Sequence, residues 1–268
     1  LNKISGMFSI ALLDKKEKKL FLIRDRMGEK PMYYGFNNNF FFFSSELKAF
    51  KKNEDIELLL NEYSISKYFK FGYIPSPFSI YKDVYKLPPA HYLEINFDNF
   101  NSSNYKTKKY WQTNNVENID LNYNLVKNKT ENLLLESVNE QLISDVPLGA
   151  FLSSGIDSSL IVSMMQKISP GNVNTFSIGF SEKEYDEAKN AKKIATYLKT
   201  NHNEFYVNTK NVHDMIPNIS KIYDEPFSDS SQVPTYLVSK FAEQKVKVSL
   251  SGDGGDELFG GYNRYLNS

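Results

Sequence analysis

The sequence feature that most constrains this chain is a short, hydroxyl-rich turn at which an apolar run stops and a helix begins. Residues 149–159 read G-A-F-L-S-S-G-I-D-S-S, with a buried strand end at 150–152 and Leu, Ile and Met at helical spacing over 158–168. Unpaired backbone N–H groups and the helix dipole attract an anion at such a helix N-terminus. Small side chains let phosphate oxygens approach the backbone, so the turn predicts a phosphate-binding site.

Carboxylates in two turns indicate that the phosphate is bound together with a metal ion. Asp157 would repel a phosphate unless a divalent cation lay between them, which predicts a nucleoside triphosphate with Mg²⁺. A second turn, residues 251–261, reads S-G-D-G-G-D-E-L-F-G-G after another apolar strand. In an open parallel sheet both turns would meet at one crevice, with Asp256 as a second Mg²⁺ ligand opposite Asp157. The alternative is that the acids of the second turn only complement a helix dipole.

Neither turn carries a common nucleotide-binding motif. Both lack Gly-x-x-x-x-Gly-Lys-Ser/Thr, and neither completes Gly-x-Gly-x-x-Gly after its strand. Transfer of the γ-phosphate and binding of a dinucleotide are therefore disfavoured. A phosphate loop without that lysine suits the departure of the β- and γ-phosphates together as pyrophosphate. The expected reaction is attack on the α-phosphorus, which is an adenylation.

Composition excludes several other classes of function. Lys and Arg total 32 against 32 Asp and Glu, so we expect no nucleic-acid partner. The absence of Cys excludes disulfides, thiolate metal sites and a cysteine nucleophile in this chain. His91, His202 and His213 lack the spacing of metal ligands. The apolar runs are too short to span a bilayer, so we expect a soluble, cytoplasmic protein; a homodimer is left open. The first residue is Leu1, from which we expect a further segment upstream.

The pattern of the chain changes near residue 118. Short apolar runs separated by turns over residues 6–50 predict strands joined by hairpins. The alternation of helix and strand after residue 118 is typical of a parallel α/β sheet, which predicts domains at 1–112 and 118–268. Predicted helices of the second domain cover residues 121–142, 158–168, 185–198 and 234–244, and its later strands cover 173–180, 204–207 and 246–250.

Five blocks give the second half a family resemblance. They read S-D-V-P-L-G-A-F-L-S-S-G-I-D-S-S (144–159), T-F-S-I-G-F (175–180), Y-D-E-A (185–188), D-E-P-F-S-D-S-S (224–231) and S-G-D-G-G-D-E-L-F-G-G-Y (251–262). In this order and spacing they resemble glutamine-dependent asparagine synthetase, a member of the PP-loop ATP pyrophosphatase group. The resemblance implies an α/β chain whose second domain is a parallel-sheet, adenine nucleotide alpha hydrolase-like fold.

The first half resembles the later part of the family's class II glutamine amidotransferase domain. The blocks are G-M-F-S-I-A-L-L-D (6–14), R-D-R-M-G-E-K-P-M-Y-Y (24–34) and S-S-E-L-K-A-F (44–50). The resemblance implies a partial α+β sheet of the Ntn type, in which these blocks are mainly structural. The family's glutaminase nucleophile is an N-terminal cysteine that would precede this chain. Glutamine hydrolysis is therefore assigned to no residue here.

The resemblance also implies a role for individual residues. One of the acidic pair before Pro226 is implied to form the acyl-adenylate and to handle protons during ammonia attack, and which of the two acts is left open; alternatively, the pair only caps a helix end. The implied roles are adenosine contact for Leu152 and Ile178 and, through the backbone, Ser251 and Gly252; pyrophosphate binding for Ser153, Gly155, Ser158 and Ser159; Mg²⁺ binding for Asp157 and Asp256; and catalysis for Asp224 and Glu225.

The phosphate loop departs from the family pattern at one position. The family usually reads Ser-Gly-Gly, and here Ser154 replaces the first glycine. We expect the loop to remain compact and the Ser154 hydroxyl to add a donor for phosphate. A positive φ at Ser154 would instead cost roughly 1 kcal/mol or more in backbone strain.

The leading expectation is synthesis of asparagine from aspartate, ATP and ammonia derived from glutamine. The aspartate β-carboxylate would attack the α-phosphorus, and ammonia would then displace AMP from the acyl-adenylate. One alternative keeps this chemistry but uses another carboxylate, in a sugar acid, a peptide or an antibiotic precursor. Another alternative is a catalytically silent nucleotide-binding module, which the presence of both Asp157 and Asp256 disfavours.

Overall fold

A computed structural model describes residues 1, 3–37, 40–99, 105–113, 122–181, 187–263 and 265. The chain forms two compact units, of which the first comprises Leu1–Glu117 with Asn218–Asp229 and the second Asn118–Pro217 with Ser230–Ser268. The sequence did not predict that the late segment Asn218–Asp229 would pack with the first unit. No helix in the described ranges has both the length and the apolar character needed to cross a membrane.

Short 3-10 helices lie at Leu47–Lys52, Phe97–Asn99 and Ile216–Asn218. The strands are β1 (Ser9–Asp14), β2 (Lys19–Arg24), β3 (Tyr33–Asn37), β4 (Phe40–Ser44), β5 (Val84–Lys86), β6 (His91–Asn96), β7 (Tyr105–Lys109), β8 (Leu148–Phe151), β9 (Asn174–Phe180), β10 (Asn201–Val207) and β11 (Val248–Leu250). The helices are α1 (Glu62–Phe71), α2 (Tyr123–Gln141), α3 (Ile156–Ile168), α4 (Ala188–Leu198), α5 (Thr209–Met215), α6 (Ile219–Ile222), α7 (Gln232–Ala242) and α8 (Gly255–Phe259).

The first unit contains two antiparallel sheets. One has the strand order β1-β2-β6-β7 and the other β4-β3-β5. Leu22 on β2 pairs with Leu93 on β6, and both side chains are fully buried in the core of the first sheet. The hairpins predicted for residues 6–50 are confirmed, because β1 pairs with β2 and β3 pairs with β4.

The R-D-R-M-G-E-K-P block is a structural hub of the first unit. The Asp25 carboxylate is buried and accepts hydrogen bonds from the backbone N–H groups of Phe8, Glu29 and Lys30. The Arg24 guanidinium donates to three backbone carbonyls, including that of Leu87 at 2.7 Å. These bonds satisfy buried polar groups of the turn after β2, which agrees with the structural role that the resemblance implies.

The second unit contains one parallel sheet with the order β10-β9-β8-β11. β8 pairs in parallel with both β9 and β11, so the chain first winds to one side of β8 and later to the other. The parallel α/β class predicted for this half is confirmed. The position between β8 and β11, where the winding changes direction, is where ligands bind in open parallel sheets.

Buried strands and helices form the core of this second unit. Phe176 on β9 is fully buried, and a Cβ on Gly149 would lie only 2.7 Å from its ring. Glycine at position 149 therefore makes room for the largest core side chain. Val162 and Met165 of α3 are buried on the other side of the sheet, in a cluster with Ala150.

Most predicted elements of this half are present, with shifted ends. The helix predicted at 158–168 begins at Ile156, and the helix predicted at 234–244 is Gln232–Ala242, with Pro234 in its first turn, where its missing N–H costs nothing. The strand predicted at 246–250 begins only at Val248. The predicted helix over 185–198 begins at Ala188, and the first two predicted residues lie outside the described residues, as does residue 121.

We predict that Asp25 stabilises the first unit at neutral pH. Burial by itself would raise the pKa of Asp25, but the backbone hydrogen bonds from Lys30, Glu29 and other residues outweigh it and lower the pKa. Asp25→Asn should reduce the free energy of unfolding by about 2 kcal/mol at neutral pH, since the turn loses a charged acceptor. The difference should begin to shrink as pH falls below about 4, where the carboxyl group of the unfolded state becomes protonated, and it should be lost as pH falls through the lower pKa of the folded state. Urea unfolding at several pH values tests this, and a pH-independent difference would contradict it.

A second prediction concerns His202 on β10. Its Nδ1 lies 2.9 Å from Thr175 Oγ1. Its Nε2 is buried without a hydrogen-bond partner in the described structure, 4.0 Å from Glu204 Oε1, and burial lowers the pKa of His202. The folded state thus binds fewer protons, so stability should fall as the pH drops below about 6.5, the value of an unfolded histidine. In His202→Gln this fall between about pH 7 and 5.5 should disappear from urea unfolding curves. The control variant His213→Gln, at an exposed histidine, should keep this fall in stability.

Candidate active site

The first of the two turns joins β8 to α3. Leu152 directly after β8 donates its backbone N–H to the carbonyl of Phe176 at 2.9 Å, and its own carbonyl accepts from the Ser177 hydroxyl. These two bonds fix the end of β8 against β9. Gly155 is the residue before α3, so the first N–H groups of this helix have no partner within it.

Serine hydroxyls hold this turn in a closed shape. The Ser153 hydroxyl accepts from the Gly155 N–H at 3.0 Å and lies 2.9 Å from the Ser158 hydroxyl. The Ser159 hydroxyl donates to the Gly155 carbonyl at 2.7 Å. Ser153 and Gly155 are exposed, while Ser158 and Ser159 are half-buried. The four residues implied to bind pyrophosphate are thus brought together in one turn, and the backbone N–H groups of Ser153, Gly155 and Ser159 are hydrogen-bonded within it.

The second turn packs directly on the first. A Cβ on Gly252 would lie 2.6 Å from the backbone nitrogen of Ser158. A Cβ on Gly255 would lie 2.3 Å from Oδ2 of Asp157. Real Cβ atoms do not approach other atoms so closely. Gly252, which faces backbone atoms, therefore requires glycine, whereas a side chain at position 255 would force the Asp157 carboxylate to move. The structure therefore brings the two turns together, as expected from the sequence, and places the Asp157 carboxylate against the start of α8.

The two aspartates implied to bind Mg²⁺ lie on these turns. The carboxylates of Asp157 and Asp256 have no hydrogen bond or ion pair to the described parts of the chain, whereas Asp253 accepts from the Ser251 hydroxyl at 2.9 Å. Those parts also contain no group of three or more His, Asp or Glu side chains arranged around a metal ion. Mg²⁺ bound to a nucleotide needs only one or two carboxylates, because phosphates and water complete its shell. The carboxylates of Asp157 and Asp256, which have no other partner among the described residues, fit that requirement.

The residues implied to contact adenosine have different environments. The Leu152 side chain is buried in the cluster that includes Val162 of α3. Ile178 is half-buried and packs on another cluster, with Phe176 and Val238. The structure does not bring these two side chains into one cluster, and their contact with adenosine stays a prediction. Ser251 and Gly252 directly follow β11 and are half-buried, so the contact predicted for their backbone is compatible with their position.

The predicted catalytic carboxylates both lie in the first unit. The Asp224 carboxylate accepts from the backbone N–H groups of Leu47 and Lys48. It thereby caps the start of the 3-10 helix Leu47–Lys52. Glu225 accepts from the Ile80 N–H at 2.7 Å and forms an ion pair with Lys86 at 2.5 Å. Capping was expected only for a helix end next to Pro226, whereas Asp224 caps a helix that is distant in sequence. Their catalytic role stays a prediction.

The structure changes the interpretation of Ser154 and identifies Glu187 as the hydrogen-bond partner of its hydroxyl. Among the described residues, positive φ outside glycine occurs at Lys18, Asp83, Ala90 and Lys199, so Ser154 is free of that strain. Its hydroxyl donates to Oε2 of Glu187 at 2.9 Å and is thereby engaged within the protein. Phosphate binding by this hydroxyl stays a prediction. Glu187 is part of the Y-D-E-A block, but its contact joins residues 33 positions apart, which no local pattern signals.

Residues 129–268, just over half of the chain, match the family described as Asparagine synthase. Residues 1–111 match the family described as Glutamine amidotransferase domain. The two matches cover the same halves of the chain that the sequence motifs separate.

Curated relatives match along the whole chain. A putative asparagine synthetase [glutamine-hydrolyzing] 2 of Methanocaldococcus jannaschii is 41% identical over 270 residues, which is 100% of this chain and 52% of the relative. Asparagine synthetase [glutamine-hydrolyzing] 1 of Bacillus subtilis is 33% identical over 98% of this chain and 41% of the relative. The chain thus spans about half the length of these relatives, or less.

Solved structures show weaker likeness. An NH3-dependent NAD synthetase of Campylobacter jejuni is 14% identical, with a TM-score of 0.35 over 53% of this chain and 62% of the other. A glutamine-dependent NAD+ synthetase of Acinetobacter baumannii, solved with ADP, is 16% identical, with a TM-score of 0.38 over 69% and 33%. The family matches and the whole-chain relatives, together with the two glycine-packed turns, show that this chain belongs to the asparagine synthase family.

Proposed function

We propose that the protein containing this chain converts aspartate, ATP and ammonia from glutamine into asparagine, AMP and pyrophosphate. The observation that supports the proposal is the packing of Gly252 and Gly255 on Asp157, which brings together the turns at the carboxyl ends of β8 and β11. The names of the M. jannaschii and B. subtilis relatives favour aspartate over another acceptor. Because the reaction consumes ATP, we propose that it takes place in the cytoplasm.

In the proposed reaction the aspartate β-carboxylate attacks the α-phosphorus of ATP. The bond from this phosphorus to its bridging oxygen breaks, and pyrophosphate leaves. Ser153, Gly155, Ser158 and Ser159 would bind the departing pyrophosphate through backbone N–H groups and hydroxyls. Donors fixed by the turn before the reaction stabilise charge at low cost, because they do not reorganise as the charge develops.

A magnesium ion would be held by Asp157 and Asp256 together with phosphate oxygens. Bound there, it would neutralise negative charge on the leaving pyrophosphate. The chain's own contribution is to keep both carboxylates uncommitted and to hold Asp157 against Gly255. A side chain at position 255 would displace that carboxylate.

The second step of the proposed reaction releases AMP. Ammonia attacks the acyl carbon of the adenylate, the bond to the phosphate oxygen breaks, and a proton is lost from the nitrogen. We propose that Asp224 or Glu225 assists this proton transfer. Each carboxylate oxygen has two lone pairs, so an oxygen that already accepts a backbone N–H can accept another hydrogen bond.

The first test is exchange of labelled pyrophosphate into ATP by the intact protein. Exchange should require aspartate, since the reverse of adenylation needs the acyl-adenylate. Asp157→Ala should abolish the exchange. Asp157→Asn should lower the exchange by at least about a hundredfold, because the amide lacks the negative charge that would bind the cation. Asp145→Ala, at an exposed aspartate before β8, is the matched control and should exchange normally.

Two results would contradict this assignment. Exchange without aspartate, or exchange supported better by another carboxylate in a substrate panel, would change the acceptor. Binding of Mg-ATP by the folded protein without any exchange would instead favour a catalytically silent nucleotide-binding module.

A further prediction separates the roles of Asp224 and Glu225. In Asp224→Asn and Glu225→Gln the residue that acts in proton transfer should lose about a hundredfold or more in asparagine formation, with Mg-ATP affinity kept. The other substitution should mainly lower thermal stability, since it removes a half-buried charged acceptor. Asparagine formation, calorimetric Mg-ATP binding and thermal unfolding measured on both variants distinguish the two. Near-normal asparagine formation by both would remove the pair from catalysis.

A further inference from the structure

One serine of the phosphate turn differs from its neighbours in where its hydroxyl points. The hydroxyls of Ser153, Ser158 and Ser159 make their contacts within the turn itself. The hydroxyl of Ser154 leaves the turn and donates to Glu187 at 2.9 Å. This hydrogen bond joins the turn after β8 to the residue that precedes α4. It is therefore the side-chain link between the phosphate turn and the neighbouring helix.

The carboxylate of Glu187 has no role in its own helix. Glu187 stands before α4 without a side-chain capping bond, and its backbone carbonyl accepts from the N–H groups of Asn190 and Ala191. Within the described part of the chain, the partner of this carboxylate is the Ser154 hydroxyl. A hydrogen bond from a hydroxyl to an ionised carboxylate is stronger than one between neutral groups. The hydrogen bond between Ser154 and Glu187 can thus hold this exposed turn, which contains Gly155, in one orientation.

We propose that Glu187 is a positioning residue, which acts through Ser154 to hold the phosphate turn in the shape that binds the pyrophosphate part of ATP. This inference rests on the function proposed above. Ordering a free turn costs conformational entropy at the moment of binding, and a turn that is already fixed avoids this cost. A glycine at position 154 could not donate this hydrogen bond to Glu187. The positioning role therefore depends on the serine that departs from the Ser-Gly-Gly pattern.

The experiment is a double-mutant cycle in the intact protein. Affinities for Mg-ATP and for AMP are measured by calorimetry for the wild type, Ser154→Ala, Glu187→Ala and the double variant. Each single substitution should weaken Mg-ATP binding about fivefold, as for loss of one exposed charge-assisted hydrogen bond. AMP binding should be unchanged, because AMP lacks the pyrophosphate part. The double variant should bind Mg-ATP no more weakly than either single variant.

Two further variants make the test specific. Glu187→Gln keeps an oxygen that can accept from Ser154 and should bind Mg-ATP within about twofold of the wild type. Ser163→Ala removes a hydroxyl that bonds only locally to Leu160 on α3, and should leave both affinities unchanged.

The possible results separate this inference from the proposed function. Wild-type affinity in both single variants, additive losses in the double variant, or equal losses for Mg-ATP and AMP would overturn the positioning role while leaving the nucleotide site in place. Absence of Mg-ATP binding by the wild type would overturn the proposed function as well.

Discussion

The candidate site depends on the close approach of two backbone segments, which is possible only without side chains. Gly252 lies against the backbone of Asp157 and Ser158, and Gly255 lies against the Asp157 carboxylate. A larger residue at position 252 would push the two turns apart, whereas one at position 255 would displace the Asp157 carboxylate. Sheet order brings the two strands side by side, but the glycines decide whether their turns form one surface.

Local features of the second unit could be predicted because short-range chemistry determines them. The hydroxyl-rich turn after β8 lies where the apolar run ends, and the helix begins within two residues of its predicted start. The meeting of the two turns followed from the rule for parallel sheets rather than from any residue pair. Ends of elements were less predictable, as at β11, because backbone pairing with β8 and not hydrophobicity sets the length of that strand.

Contacts between residues distant in sequence could not be predicted in the same way. The bonds from Leu47 and Lys48 to Asp224, and from Ser154 to Glu187, join positions about 177 and 33 apart, and no periodicity encodes them. Both contacts change how a sequence motif is interpreted. An acidic pair expected to be available is already engaged by backbone donors, and a hydroxyl expected to face phosphate is engaged by a carboxylate. Motifs identify residue types, whereas the hydrogen-bond partners decide which of their atoms remain available.

The charge of the two turns sets a further condition on any phosphate ligand. Residues 149–159 and 251–261 contain four carboxylates, Asp157, Asp253, Asp256 and Glu257, and no Lys or Arg. Backbone N–H groups and the dipole of α3 contribute only partial positive charges, which are too weak to offset a triphosphate beside these acids. At the site proposed here, binding of the nucleotide and of a divalent cation would therefore be thermodynamically linked, each strengthening the other by the same factor. In the proposed reaction, the acids of these two turns would thus give the cation a part in phosphate recognition as well as in the chemical step.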